Sequence, residues 1–246
     1  MSVPYLQSLL QRGSNIVCLL GKAPKAEQNC DFYKESYREK IRERYGRTPE
    51  EIVSSTFFHN SPEVFYRFYR NEMLLKRGEP DAVHHVLKQM EEDGKLRGIV
   101  TDGYFGLSSL AGCSKVVSLN GSIDRNRCPG CGRVYDSAYV MQSTEVPACS
   151  KCGKMLHPGI ALQGELPNAA VLTHAKELIM GANLLLVLGT SLNSPLGSLS
   201  KYFSGDRICV VNTEENRWDQ TADCICTGNI QEILEEAYPS GCSVKG

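Results

Sequence analysis

The 246-residue sequence has a single tryptophan, no excess of either charge and no long apolar run; its 27 Lys and Arg face 28 Asp and Glu, for a net charge of −1. Each shortage excludes something. A membrane-spanning helix needs about 20 consecutive apolar residues, and the longest candidate, Ala182 to Leu188, falls far short. Balanced charge gives no basic face for sequence-independent binding to nucleic acid. Residues 1–7 lack the charged and apolar regions of a secretory signal. A soluble cytoplasmic protein is expected, with neither a membrane nor a nucleic acid as partner. At 41% apolar and 22% charged, the composition is that of an ordinary globular chain, long enough for one larger domain or two unequal ones.

What the sequence does have is cysteine: 11, an odd number that argues against a disulfide scaffold. Cys128 and Cys131 form one C-x-x-C pair and Cys149 and Cys152 another, with 17 residues between the pairs. That spacing matches a structural zinc site, in which four thiolates complete a tetrahedral shell and leave no position open for substrate. Gly130, Gly132 and Gly153 let the backbone curl round the metal. Redox chemistry at one C-x-x-C is the alternative, but two matched pairs suit a metal better. Cys18, Cys30, Cys113, Cys209, Cys224, Cys226 and Cys242 are scattered, several in apolar segments where cysteine acts as a small core residue.

Apolar runs at Asn15–Gly21, Leu96–Thr101, Val116–Leu119, Leu184–Leu188, Arg207–Val211 and Asp223–Cys226 read as strands. Helices are expected within Asp31–Arg77, where Ser61 is a candidate cap and Pro62 a first helical residue for Val64–Leu75. Others are expected over Asp81–Asp93, Asn168–Met180, Pro195–Phe203 and Ile230–Ala237. The aromatics Phe65, Tyr66, Phe68 and Tyr69 are read as core packing in the helical segment. Strands alternating with helices imply an α/β fold, a Rossmann-like doubly wound parallel sheet, interrupted by a cysteine ribbon. Such a sheet binds ligands at the carboxyl ends of its strands. Gly21, Gly189-Thr190-Ser191 and Asn212 lie there, though Thr and Ser at such places also cap helices.

The order of these features resembles the sirtuins, NAD-dependent protein-lysine deacylases, over essentially the whole chain. The resemblance is carried by Asp31-Phe32, Thr48-Pro49-Glu50 with Phe57-Phe58, Thr101 with Gly106-Leu107 and Ala111-Gly112, Asn120-Gly121-Ser122, the four paired cysteines, Gly164-Glu165, Gly189-Thr190-Ser191-Leu192, and Val211-Asn212. It implies a Rossmann-like NAD-binding-type domain from 1–30, 78–124 and 158–240, a helical insertion over 31–77, a zinc ribbon over 125–157 and a tail at 241–246. Substrate and cofactor would meet in the cleft between the sheet domain and the small module. Structural zinc is implied at Cys128, Cys131, Cys149 and Cys152. Gly21, Asp31, Phe32, Gly189, Thr190, Ser191, Asn212 and Ile230 are the implied contacts to NAD or ADP-ribose. In the family the acyl oxygen attacks the anomeric carbon as nicotinamide leaves, and a histidine then acts as base on the ribose hydroxyl.

This chain departs from that pattern where the chemistry occurs. The family's His-Gly-Ser is Asn120-Gly121-Ser122, and a carboxamide accepts no proton near pH 7. The family's Thr-Gln-Asn-Ile-Asp is Thr101-Asp102-Gly103-Tyr104-Phe105. The phosphate loop reads Gly21-Lys22-Ala23-Pro24-Lys25, in which Pro24 has no N–H to offer, and it is about one residue short. Tyr33 replaces the arginine after Asp31-Phe32, and Gln163 replaces the aromatic before Gly164-Glu165. Lys22 and Lys25 either supply point charges to a phosphate or lie in a solvated loop. His84-His85 point in different directions from one helix and are expected at the surface or partly packed. His157 competes poorly with four thiolates for a metal, His59 sits at a turn, and His174 is expected to be exposed. Glu165, Asp102 or a histidine would replace the missing base only if folding set it against the ribose. Three readings follow: a sirtuin-like pseudoenzyme that binds a nucleotide or a protein partner, an active deacylase or ADP-ribosyl transferase with a rearranged site, and an interaction module whose cleft is filled by Tyr104 and Phe105.

Overall fold

The structure is a computed structural model that describes residues 3–21 and 35–239. Its centre is a six-stranded sheet of β1 (Ile16–Leu20), β2 (Leu96–Thr101), β3 (Val116–Ser118), β6 (Leu184–Leu188), β7 (Arg207–Asn212) and β8 (Cys224–Thr227). The strands are all parallel, in the order β3-β2-β1-β6-β7-β8. The order reverses between β1 and β6, the place where a doubly wound sheet opens a crevice at its carboxyl edge.

Both faces of the sheet are covered, so β1 and β6 are apolar at every position and split their side chains between two cores. Ile16, Cys18, Leu20, Leu184, Leu186 and Leu188 face one side, packed with α1 (Val3–Arg12), α6 (Ala82–Glu92) and α10 (Ile230–Ala237). Val17, Leu19, Leu185 and Val187 face the other, against Ala175 and Ile179 of α9 (Ala169–Met180) and Leu199 of a 3₁₀ segment, Gly197–Tyr202. Two-residue periodicity with both faces buried is what a parallel sheet requires. Cys18, Cys113, Cys209, Cys224 and Cys226 are buried in the first of these cores. Cys30 and Cys242 lie outside the described residues.

A third core is aromatic. It is built by α2 (Glu35–Tyr45), α3 (Pro49–Ile52), α4 (Ser55–Asn60), α5 (Pro62–Phe68) and a π-helical turn, Tyr69–Leu74. Phe65, Tyr66, Phe68 and Tyr69 are all fully buried. Side chains on both sides of exposed Arg67 can be buried because helices, the loop after β2 and residues 160–162 pack around the segment. Within the π-turn, the buried carboxylate of Glu72 accepts from Tyr37 and Tyr45 hydroxyls at 3.1 Å each and from Arg44 at 2.7 Å, and pairs with Lys76, which fastens α2 to the turn.

The remaining segments are α7 (Leu107–Leu110), the short hairpin β4 (Asn126–Arg127) and β5 (Val134–Tyr135), α8 (Ser137–Gln142) and a 3₁₀ turn, Arg217–Thr221. Three expectations are revised. The helix expected over Pro195–Phe203 is a 3₁₀ segment, because Gly197, Ser198 and Ser200 are weak helix formers. Ser61 occupies the capping position before Pro62 without a side-chain cap; its own N–H instead closes α4 on Phe57 O at 2.8 Å. His84 is wholly buried rather than at the surface, with Nδ1 2.7 Å from Asp81 Oδ1 at the start of α6, whereas His85 is exposed. His174 is exposed on α9, and His59 lies within α4, its Nδ1 2.7 Å from Ser55 O. Among the described residues no helix is long and apolar enough to cross a membrane.

Candidate functional site

Two groups of residues carry chemistry, and the chain segment 119–127 joins them. The first is the thiol cluster. The Sγ atoms of Cys128, Cys131, Cys149 and Cys152 lie within 4.8 Å of one another, with Cys128–Cys152 at 3.3 Å and Cys131–Cys149 at 3.5 Å. Four thiolates bonded to zinc at about 2.3 Å in a tetrahedron stand about 3.8 Å apart, so the sulfurs already occupy the corners such an ion needs. The two pairs are built alike. Gly132 N–H donates to Cys128 O and Gly153 N–H to Cys149 O, both at 2.9 Å, and the two glycines share a left-handed φ of +74° and +71°. That conformation is costly for any residue with a Cβ, which explains why a glycine follows each C-x-x-C. Tyr135 Oη donates to Cys149 Sγ at 3.1 Å, and this bond is the main reason the Cys149 thiol is held down at about 5. His157 stands apart from the cluster: its Nε2 is 2.7 Å from Glu165 Oε1 and its Nδ1 2.8 Å from Pro158 O.

The second group lies at the carboxyl ends of the strands. Gly21, after β1, lies so close to Gly189, after β6, that a Cβ on Gly21 would fall 2.5 Å from Gly189 O and 2.6 Å from Thr190 Cβ. Only glycine fits there, because the backbones that leave β1 and β6 pack directly on each other at the switch point. Thr190 Oγ1 is 2.7 Å from Ser194 Oγ, and Ser191 Oγ donates to Asp219 Oδ1 at 2.6 Å. Asn212 ends β7, where its Oδ1 accepts from Thr213 N–H at 2.9 Å. Ile230 begins α10 with its side chain in the sheet core, so only its backbone is available at that edge. Asp31 and Phe32, like Lys22, Ala23, Pro24, Lys25 and Tyr33, lie outside the described residues.

Asn120 follows β3, and its Nδ2 donates to Asp102 O, after β2, at 2.9 Å. Its own carbonyl accepts from Ala161 N–H at 2.9 Å, and Ser122 N–H donates to Gly159 O at 2.8 Å, which knits the Asn120 loop to the extended segment at 159–161. Buried Asn126 holds this junction from beneath: Oδ1 accepts from Gly159 N–H at 3.0 Å and from Tyr69 Oη at 3.2 Å, and Nδ2 donates to Ile123 O at 2.7 Å. Arg77 forms a bidentate pair with Asp124 at 3.0 and 2.6 Å, and Ser137 Oγ donates to the same carboxylate at 2.6 Å. Phe105 is buried in the aromatic core, and half-buried Tyr104 packs on it with ring centroids 4.7 Å apart. Glu165 is occupied by His157 through Oε1 and by Leu162 N–H, at 2.9 Å, through Oε2.

Sequence reasoning alone does not find Asn126, Arg77, Asp124, Tyr135 or Asp219. None sits in a repeating pattern, and each acts through a partner between 9 and 57 residues away in the chain, with Asp219 reaching 28 residues back to Ser191. The only signal available was an isolated polar residue beside a motif, as Asp124 is beside Asn120-Gly121-Ser122.

This geometry, a parallel sheet whose strand order reverses at a close glycine pair and a four-thiolate ribbon beside it, defines a Rossmann-like α/β protein with a cysteine-ribbon insertion. The sequence profile of the Sir2 family matches residues 31–194. An NAD-dependent protein deacetylase of Clostridium acetobutylicum is 36% identical over 233 residues, which covers 94% of this chain and 95% of that protein. The NAD-dependent protein deacetylase of Clostridium tetani is 32% identical, covering 93% and 94%. Among solved structures, one determined to explain sirtuin substrate affinity superposes with a TM-score of 0.85 at 26% identity, covering 98% of this chain and 100% of the other. A Sir2 homologue in complex with NAD gives 0.80 at 25% identity, covering 96% and 92%. The chain belongs to the Sir2 family, the sirtuins.

Proposed function

We propose that this sirtuin has lost most or all deacylase chemistry and acts by binding, either of an adenine nucleotide such as ADP-ribose or NAD held by its adenosine half, or of a protein or peptide in the cleft between sheet and small module. The observation that carries the reading is Asn120. At the family's histidine position it is a carboxamide whose Nδ2 is committed to Asp102 O at 2.9 Å. It has no nitrogen able to take a proton from a ribose hydroxyl. Gly103 and Phe105 stand where the family has a polar pair, and Phe105 is turned into the aromatic core. Its burial there also argues against a cleft filled by that side chain. Two candidates for a substitute base, Glu165 and His157, are committed to each other at 2.7 Å.

Retention of binding is supported by the close Gly21–Gly189 approach at the switch point. A bound NAD would bring the ADP-ribosyl group that accepts the acyl oxygen. Towards it, this chain contributes the strand-end backbone at Gly21 and Gly189, where no side chain intervenes, and Asn212 at the next strand end. A structural zinc ion at Cys128, Cys131, Cys149 and Cys152 belongs to the same reading, supported by sulfur positions at tetrahedral spacing. We divide the chain accordingly into a sheet domain at 1–30, 78–124 and 158–240, a helical insertion at 31–77 and a ribbon at 125–157.

The test is incubation with NAD and acetyl-, propionyl- or succinyl-lysine peptides, with deacylated peptide and nicotinamide both measured, alongside calorimetric titration with ADP-ribose. The expected result is heat with ADP-ribose and no deacylated peptide above background. Turnover at the rates of active relatives would overturn the catalytic half; absence of heat with ADP-ribose, NAD and adenine nucleotides would overturn the nucleotide half.

A further inference from the structure

Asp219 lies in the 3₁₀ turn between β7 and β8, yet it is only 1% exposed. Its Oδ1 accepts two hydrogen bonds, from Ser191 Oγ at 2.6 Å and from Leu192 N–H at 2.8 Å. No Lys, Arg or His among the described residues pairs with it. Burying a carboxylate without a cation is costly, and a neutral or apolar side chain would fill the same space without that cost. With no cation to offset that cost, the value of the group lies in the two bonds it accepts. It holds the backbone directly after Gly189 and Thr190, the strand-end residues that meet Gly21. The consequence for Ser191 is chemical. Its one hydroxyl proton goes to Asp219, so towards a ligand Ser191 Oγ is an acceptor only.

We propose that Asp219 is a positioning residue for the nucleotide loop, fixing Gly189–Leu192 through Ser191 and Leu192 so that the loop is already shaped when the ligand arrives. This rests on the nucleotide half of the function proposed above. A loop held by two charge-assisted bonds at its far end cannot relax away from Gly21, and the ordering cost is met on folding rather than on binding. At 1% exposure Asp219 acts through Ser191 and Leu192.

The experiment compares the full-length wild type with Asp219→Ala, Asp219→Asn and Ser191→Ala by three measurements: calorimetric affinity for ADP-ribose on the folded fraction, hydrogen–deuterium exchange of peptide 189–193, and melting temperature. Asp219→Ala is expected to weaken ADP-ribose by about tenfold or more and to speed exchange in that peptide. Asp219→Asn, which keeps a neutral acceptor at the same place, is expected to lose about threefold, and Ser191→Ala a similar amount. Should Asp219→Ala not fold, the other two variants carry the comparison. A lowered melting temperature with affinity and peptide exchange unchanged would mean a merely structural role and would overturn the proposal. If the wild type gives no heat with ADP-ribose, the nucleotide reading fails by itself. Exchange at 189–193 then decides about Asp219: faster exchange in the variants keeps it as the residue that positions this loop, and unchanged exchange removes it.

Discussion

The cysteine ribbon and the ends of β2 and β3 are neighbours, separated by the few residues between Ser122 and Cys128, but they stand in opposite relation to the family they come from. In the ribbon every side chain that chemistry requires is present, and the turns that aim them, closed by Gly132 and Gly153, are duplicated almost bond for bond. At the strand ends Asn120, Gly121 and Ser122 are bonded to residues 159–161, while on the reading proposed above the side chains that would do chemistry are exchanged. The difference shows what each region is needed for. A metal ribbon stabilises the fold and fails as a unit if one ligand is lost. A catalytic base contributes little to folding, so under the proposed reading an asparagine at position 120 leaves the loop its shape.

The largest effect that would break this contrast is expected at the ribbon. Cys128→Ser removes one of four thiolates from a position that is wholly buried, and zinc content by elemental analysis should fall from one equivalent to near none. The accompanying loss of stability should be on the order of several kcal/mol, since metal binding there is folding free energy. Chelation of the wild-type protein should reproduce it. Unchanged zinc content would remove the metal assignment and with it the contrast.

At the strand ends the corresponding experiment is repair. Loss of a general base costs about 10²–10⁴ in rate, and in the family's order of steps the base acts after nicotinamide has left, so the wild type should form deacylated peptide at no more than about that fraction of an active relative's rate. Asn120→His alone should restore little, because Gly103 and Phe105 still lack the polar groups the family has beside the nicotinamide. If the single variant regained the relatives' rate, the site would have been one residue from competence and the two regions would differ less than their side chains suggest.

Phe105 sharpens the point from the side of stability. At the family's acidic position it is 2% exposed within the aromatic core. Phe105→Ala should cost about 3–5 kcal/mol, read as a drop in urea midpoint. A change below about 1 kcal/mol would mean that the ring is not a core element, and would reopen the reading in which Tyr104 and Phe105 serve the cleft.

The strands and the cysteine pairs were legible beforehand because they follow local rules. β1 and β6 are short apolar runs between turn residues, and the C-x-x-C pairs specify ligand number and reach by spacing alone. What stayed hidden depends on distant partners. His84 reads as a surface or partly packed histidine until Asp81 and the packing of α6 bury it, and the Glu72 network brings Tyr37 and Arg44 to a π-turn that no periodicity announces. Asp219 belongs to this class: nothing near Trp218 marks it, and its meaning appears only once the sheet brings the segments after β6 and β7 together. The helix expected over Pro195–Phe203 was misread for a related reason, since Pro195 is a permitted helix start but the Gly and Ser residues behind it do not sustain one.

The smallest expected effect supplies a control at the opposite edge of the sheet. Asp223 sits where β7 and β8 begin; Oδ2 accepts from Ile208 N–H at 2.9 Å and Oδ1 from Arg207 at 2.8 Å. Its carboxyl is held below the usual range, chiefly by the Ile208 N–H, with Arg207 adding to it. A carboxyl depressed in the folded state stabilises the fold above its unfolded pKa of about 3.9, and that contribution fades as pH falls through the lower folded value. Asp223→Asn should therefore lower the melting temperature slightly at pH 7 and flatten its decline below about pH 4. Arg207→Gln should do less, because its side chain is half exposed and the pair is screened by salt. Neither variant should alter zinc content or ADP-ribose affinity. A change in affinity would mean that the two edges of the sheet are coupled, and that the retained backbone at the strand ends owes its shape to more than the contacts around Gly21, Gly189 and Asp219.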